Sequence, residues 1–321
     1  MGTQWDRRKG NGHPPPDRSA RDGITLRTER PTPRVGAVAW ECFRDYEYTL
    51  AVSDVVNTFT NLRKVRHLGA DLILCSGVKV YPDSESPEEW ASPPTKAAKE
   101  IAGAAGCPVL LEWRPSEEDR AAHRWLLATH EGFQVVRRGQ YVFRANAART
   151  EVANVFQELR NGYGQITLVG PDRSVHLLLL ICGEARIFRA HGTEARLRYE
   201  WGAEELPGIF GGPWTMLHPS HDPYYTTSRY WGFGLVGPWL LRRDQRPREA
   251  LFSILTRQRM SSDRRVVLPS RVIHAGAWQS HTAHERPYAV SLFPRNLHRD
   301  NEVLELVEEE DSRVRYAEFE V

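Results

Sequence analysis

The run Leu177-Leu178-Leu179-Leu180-Ile181 constrains the fold of this 321-residue chain more than any other segment. Five consecutive apolar residues leave no polar face, so a strand built from them must be covered on both sides. That is the signature of a central strand in a layered α/β fold. Cys182-Gly183 follows directly. The end of a central strand, before a glycine turn, is where α/β folds place reactive groups. A cysteine there fits a nucleophile elbow, in which the turn projects the side chain out of the sheet. It equally fits a small buried hydrophobe, because free cysteine is among the most buried residue types.

The remaining segments alternate between short apolar runs and amphipathic ones. Residues 35–40 read as a strand. Residues 48–67 read as a helix, with Leu50, Val52, Val55, Val56, Phe59, Leu62 and Val65 spaced mostly by three and four. Gly69 is the expected stop of that helix. Residues 72–75 form a second expected strand, 81–94 a loop, 95–106 a small-residue helix and 108–113 a third strand. Ala121, Trp125, Leu126 and Leu127 suggest a helix over 117–131. Strands are expected at 134–137, 140–144 and 165–169, with a helix at 151–160. Beyond the central strand come a helix at 248–260, a strand within 264–274 and a closing strand at 314–321.

Composition narrows the class. The chain is 40% hydrophobic and 26% charged, with 24 Gly and 21 Pro, an ordinary globular balance. Its net charge of +2 is uneven. Residues 1–34 hold eight Lys/Arg and four Asp/Glu, and the rest of the chain is slightly acidic. A near-neutral body excludes a phosphate-tracking surface, so no nucleic-acid partner is expected. The basic, proline-containing residues 1–33 read as a flexible extension. No apolar run is long enough for a membrane helix. Four cysteines without CxxC spacing suit a reducing compartment, and the expected location is cytoplasmic.

Leu180-Ile181-Cys182-Gly183-Glu184-Ala185-Arg186 resembles the nucleophile signature of the nitrilase superfamily, the carbon–nitrogen hydrolases. Residues 34–39 look like that family's opening strand. Residues 68–74 look like its second strand, 217–221 like the strand and loop after the nucleophile, and 303–321 like its closing strand. The resemblance runs in order over residues 34–321. It implies a nitrilase-like αββα sandwich, two mixed sheets flanked by helices, forming one domain over 34–321. It also implies homodimers or higher homo-oligomers and a Glu–Lys–Cys triad hydrolysing amides or nitriles. No cofactor is implied, and the expected ligand is a small amide-type molecule.

Two of the three triad positions depart from that pattern. Cys75-Ser76-Gly77 stands where the glutamate base is expected, and residues 141–146 contain no lysine. Arg144 is the nearest positional substitute for the missing cation, although a guanidinium is always protonated and differently shaped from an ammonium. Glu112 and Glu184 are candidates for a displaced base, and Lys79 for a displaced cation. Glu184 also matches an acidic position that supports the elbow in the family, and Arg186 is expected to pair with Glu184 or a neighbour. Glu184 and His221 are the expected substrate-binding residues, His221 because it falls where the family contacts substrate. His218-x-x-His221 and His281-x-x-His284 could in principle hold zinc. Pro219 keeps the first pair off one helical face, so no metal site is expected. The acidic run 308–311 reads as a solvated turn, and the aromatic stretch 224–239 as a pocket cover, an oligomer contact or a packed cluster. The expected function is therefore a divergent carbon–nitrogen hydrolase using Cys182, with Glu112 and Arg144 as its catalytic partners. A catalytically inactive scaffold or ligand sensor is the alternative.

Overall fold

The computed structural model describes residues 23–40, 49–83, 94–114, 124–141, 149–191, 194–197, 213–220, 271–276, 290–293, 304–309 and 312–321. Their backbone forms two mixed sheets with helices, the expected α/β sandwich.

The first sheet has eight strands. They are β2 (Arg34–Trp40), β3 (Thr49–Ala51), β4 (Leu72–Tyr81), β5 (Val109–Trp113), β6 (Arg124–Ala128), β7 (Phe133–Arg137), β15 (Leu304–Glu309) and β16 (Ser312–Glu320). Their order is β15-β16-β2-β4-β5-β6-β7, with β3 pairing beside β4. The parallel core β2-β4-β5 is apolar on both faces, as buried parallel strands must be. Val35, Ala37 and Ala39 of β2 join one hydrophobic cluster, while Val38 and Trp40 join the other. On the outer face lie α1 (Val52–Val65) and α2 (Thr95–Ala105), which bury Val55, Phe59, Leu62, Ala98 and Ile101 in the second cluster.

The second sheet has six strands. They are β1 (Ile24–Arg27), β8 (Gln165–Val169), β9 (Ser174–Leu179), β12 (Thr215–Ser220), β13 (Arg271–Gly276) and β14 (Val290–Phe293), in the order β1-β8-β9-β12-β13-β14. β9 is central, as its composition requires, and lies parallel to β12. Leu177 to Cys182 are all buried in the cluster that also holds Leu72, Leu74 and Leu110 from the first sheet. That shared cluster joins the two sheets. A third helix, α3 (Arg149–Arg160), adds Val152, Val155, Phe156 and Leu159 to it. A separate hairpin pairs β10 (Phe188–His191) with β11 (Glu194–Leu197).

Several expectations are corrected. Residues 124–128 are strand β6, antiparallel to β5, and not part of a helix. Trp125-Leu126-Leu127 fits a two-faced strand, with Trp125 and Leu127 in one cluster and Leu126 in the other. Such a short apolar run has no periodicity to separate the two structures. Gly69 does not stop α1, whose cap is Arg66 in extended conformation. The left-handed cap belongs to α2, where Gly106 has φ 80° and its N–H bonds the Ala102 carbonyl at 2.8 Å. Within the expected extension 1–33, β1 is an ordered strand parallel to β8. The Asp71 carboxylate anchors this segment, accepting from Thr28 Oγ1 at 2.5 Å and from the Arg34 N–H at 2.7 Å. Only Ile24 and Leu26 mark β1 as a strand in sequence. Gln140 and Tyr141 are not in a strand, while 142–144, residues 1–22, the expected helix 248–260 and the whole aromatic stretch 224–239 lie outside the described residues. Glu308 and Glu309 of the acidic run are in β15, paired with Arg313 and Ser312.

Gly36 shows how closely β2 and β16 pack. A Cβ built there would stand 2.7 Å from the Tyr316 hydroxyl and 3.1 Å from Ala70 Cβ. Tyr316 is fully buried and donates to Glu318 Oε1 at 2.8 Å, so it has little freedom to move. Gly36→Ala should lower stability by about 1–3 kcal/mol in urea denaturation, the usual cost of overpacking. Gly36→Ala/Tyr316→Phe should lose less than the sum of the two single losses, because removing the hydroxyl relieves the closest contact.

Candidate active site

Directly after Leu180-Ile181 the chain turns through a 3-10 segment, Cys182–Ile187. Cys182 has φ 39°, and it is the one non-glycine residue with positive φ among those described. Such a conformation costs a non-glycine residue about 1–3 kcal/mol and persists only where surrounding contacts enforce it. A strained turn at the end of a central strand is the backbone shape that a nucleophile elbow requires. Cys182 is in no disulfide and is buried, with 8% of the residue exposed.

The enforcing contacts are visible. Glu184 is completely buried. Its Oε2 accepts from the Ile181 N–H at 3.0 Å, and its Oε1 accepts from the Tyr141 N–H at 3.1 Å and from Arg137 Nη2 at 2.8 Å. The Glu184 N–H returns a bond to the Ile181 carbonyl at 2.8 Å. Arg137, also completely buried, donates Nη1 to the Leu179 carbonyl at 3.1 Å. One guanidinium thus grips the end of β9 and the carboxylate that closes the elbow. Its Nε lies 3.7 Å from Glu158 Oε2 on α3. Burial pushes the Glu184 carboxyl above the ordinary carboxylate range, opposed by Arg137 and the Ile181 and Tyr141 amides. On the other side, His218 of β12 is 0% exposed and its Nε2 lies 2.9 Å from the Cys182 carbonyl oxygen.

Gly164 makes room for the arginine. It has φ 76°, a region that costs glycine nothing, and a Cβ there would stand 2.9 Å from Arg137 Cδ. Its carbonyl accepts from the Leu179 N–H at 2.8 Å, and its N–H bonds the Val136 carbonyl at 2.7 Å. This glycine therefore links the end of β7 to β9.

The expected site residues are distributed unevenly. Both Glu184 oxygens are held by protein donors, with Arg137 as the charged partner, so its expected place as a substrate contact is taken by structural bonds; the Arg186 side chain lies outside the described residues. Glu112 is fully buried on β5. Val109, Leu111 and Trp113 face the helices, and Leu110 faces the cluster that contains Cys182. Strand alternation puts Glu112 on the same inner face as Leu110. Its register partner on β4 is Lys79. Arg144, His221, His281 and His284 lie outside the described residues. Within the segment Cys75-Ser76-Gly77, where the resemblance expects the glutamate base, Cys75 belongs to the outer cluster, and burial pushes its thiol up. Gly77 falls in an irregularity of β4, between Leu74 and Lys79. Among the described residues no group of His, Cys, Asp and Glu could hold a metal ion. No described helix is long and apolar enough to cross a membrane.

Arg137 and His218 are the site residues that sequence reasoning missed. An arginine at a strand end reads as solvated, and only the Gly-Tyr-Gly of 162–164, permitting close approach, hinted otherwise. In sequence His218 reads as a loop histidine beside a pocket or as half of a metal pair, and neither reading gives it a partner in the backbone of Cys182.

No protein-family model matches this chain, and no curated protein matches it. Solved structures do. An amidase from Nesterenkonia sp. is 12% identical, with 77% of each chain covered and a TM-score of 0.36. A CN-hydrolase superfamily protein from Xanthomonas campestris, with an arsenic adduct in its active site, is 14% identical. It covers 77% of this chain and 76% of its own, with a TM-score of 0.37.

Removing one member of a buried pair leaves an uncompensated charge, at a typical cost of about 3–5 kcal/mol. Arg137→Met should lose about that much in urea denaturation. Arg137→Met/Glu184→Gln should recover part of it, because the amide keeps an acceptor for one backbone N–H without a buried charge.

Proposed function

We propose that this chain is a thiol-dependent hydrolase of a small amide, with Cys182 as nucleophile. The observation that carries the reading is the left-handed turn at Cys182, at the end of a central strand, held by buried partners on both sides. Strain of that kind is retained where it serves a site. Sequence adds the match of residues 180–186 to the carbon–nitrogen hydrolase signature.

In this reading Glu112, on the inner face of β5, takes the thiol proton. The sulfur attacks the amide carbonyl, and a C–S bond forms as the carbonyl π electrons move to oxygen. Arg144 stabilises that oxyanion with its positive charge. Collapse breaks the C–N bond, and the amine leaves with the proton held by Glu112, giving a thioester. Water, deprotonated by the same carboxylate, then attacks the thioester carbonyl. The C–S bond breaks, releasing the acid and restoring the thiol. His221 is assigned to substrate contact by the resemblance alone, and the burial of Cys182 favours a small amide as substrate. The working form is a cytoplasmic homo-oligomer, and no cofactor takes part.

One observation favours a second reading, a catalytically silent ligand sensor. Ser76-Gly77 occupies the segment where a carboxylate base is expected, and the Ser76 hydroxyl is buried without a hydrogen-bond partner among the described residues. A bound amide could satisfy it.

Release of ammonia or amine from a panel of short aliphatic and aromatic amides separates the two. Cys182→Ala should abolish turnover. Glu112→Gln should lower it by about 10²–10⁴, the usual contribution of a general base. Turnover that persists in Cys182→Ala would refute the mechanism. Saturable amide binding by the wild type with no product would favour the sensor.

A further inference from the structure

His218 has a feature that a space-filling histidine would not need. Its Nε2 lies 2.9 Å from the carbonyl oxygen of Cys182. A carbonyl only accepts, so Nε2 carries the hydrogen. That carbonyl belongs to the single non-glycine residue in left-handed conformation among those described. Relaxing Cys182 to an ordinary right-handed or extended conformation would turn the carbonyl away from the ring.

The other backbone groups around the elbow have separate holders. Arg137 holds the Leu179 carbonyl, the Leu217 carbonyl accepts from the Leu180 N–H at 3.0 Å, and Glu184 holds both polar groups of Ile181. All of these act before the cysteine. His218 acts on the far side of its Cα, and its backbone is fixed by the β12 ladder between β9 and β13.

We propose that His218 is a positioning residue for Cys182. By donating Nε2–H to the Cys182 carbonyl, it holds the peptide that sets the direction of the sulfur. The inference rests on the reading of Cys182 as nucleophile, and its test separates the two.

Wild type, His218→Leu and His218→Gln would be treated with 2-chloroacetamide and with methyl methanethiosulfonate. The first needs the sulfur aligned behind a C–Cl bond beside an amide group. The second needs only an accessible thiolate. Labelling of Cys182 is followed by peptide mass spectrometry, with buried Cys75 and Cys107 as reporters of global opening. The ratio of the two rate constants should fall about tenfold or more in His218→Leu, on the scale of misaligned reacting groups. In His218→Gln, which keeps an N–H donor at similar reach, it should stay within about threefold. An unchanged ratio in folded His218→Leu overturns the proposal alone, and so does a glutamine variant that falls as far as leucine. A wild-type Cys182 inert to both reagents overturns the nucleophile reading and the proposal with it. If His218→Leu exposes Cys75 and Cys107, ¹⁵N NMR of wild type decides. A His218 ring protonated at Nε2 is expected, and one protonated only at Nδ1 overturns the proposal.

Discussion

The buried pair between Arg137 and Glu184 is the interaction on which the site geometry depends. Two charges with no solvent exposure are expensive to bury, and their attraction repays that cost only when the remaining donors and acceptors are also satisfied. Here most of them are put to use. The guanidinium holds the last carbonyl of β9, and the carboxylate holds the Ile181 and Tyr141 amides. The pair therefore spans two sheets. Arg137 ends β7, at one end of the eight-stranded sheet, and Glu184 follows β9, in the middle of the six-stranded one. A hydrophobic contact at this point could hold the sheets together. It could not dictate the path of the backbone through a turn that its own dihedral angles disfavour.

Around this pair the layers follow ordinary rules. The apolar strands of the parallel core sort their side chains alternately into the shared cluster and the helix-facing one. Alternation gives a strand two assigned faces without any further signal. The helices α1 and α2 cover only the outer side of the eight-stranded sheet, and both rest on small or branched residues such as Val55, Ala98 and Ala102. Close packing there leaves the inner side of the same sheet free to meet β12 and β13 across the shared cluster.

Much of this was legible in the residues. The five-residue apolar run placed β9 at the centre of its sheet, three- and four-residue spacing located α1, and a run of small residues marked α2. The position of Cys182 at a strand end before glycine pointed to the turn. Where reading failed, the reasons are physical. Trp125-Leu126-Leu127 carries no period, so strand and helix looked alike until neighbours were known. β1 carries only two apolar residues, and its order comes from ladder bonds and from Asp71, 43 positions away from Thr28. Arg137 and His218 owe their roles to partners brought together by tertiary structure, Arg137 meeting Glu184 across 47 residues and His218 meeting Cys182 across 36. No local pattern encodes such pairings, and a charged residue beside an apolar run has the same appearance whether it is solvated or entombed.

The irregularity in β4 has a parity consequence. Cys75 and Val78 both face the helices, although strict alternation would put residues three apart on opposite sides. Between Leu74 and Lys79 β4 advances five residues while β5 advances two, from Leu110 to Glu112, so the irregularity holds an odd excess of three residues and inverts the alternation as a bulge does. Up to Leu74 the even-numbered residues face the opposing sheet, and after Val78 the odd-numbered ones do. The strand thus changes sides once, without leaving the sheet. Lys79 is thereby set on the inner face opposite Glu112, and Val80 is returned to the helix layer. Evolution of this strand is constrained less by side-chain identity than by residue count. Loss of one residue at 76–77 would send a lysine into the packed helices and two valines toward the thiol, whereas exchanging the serine for another small residue would leave every later side chain where it is.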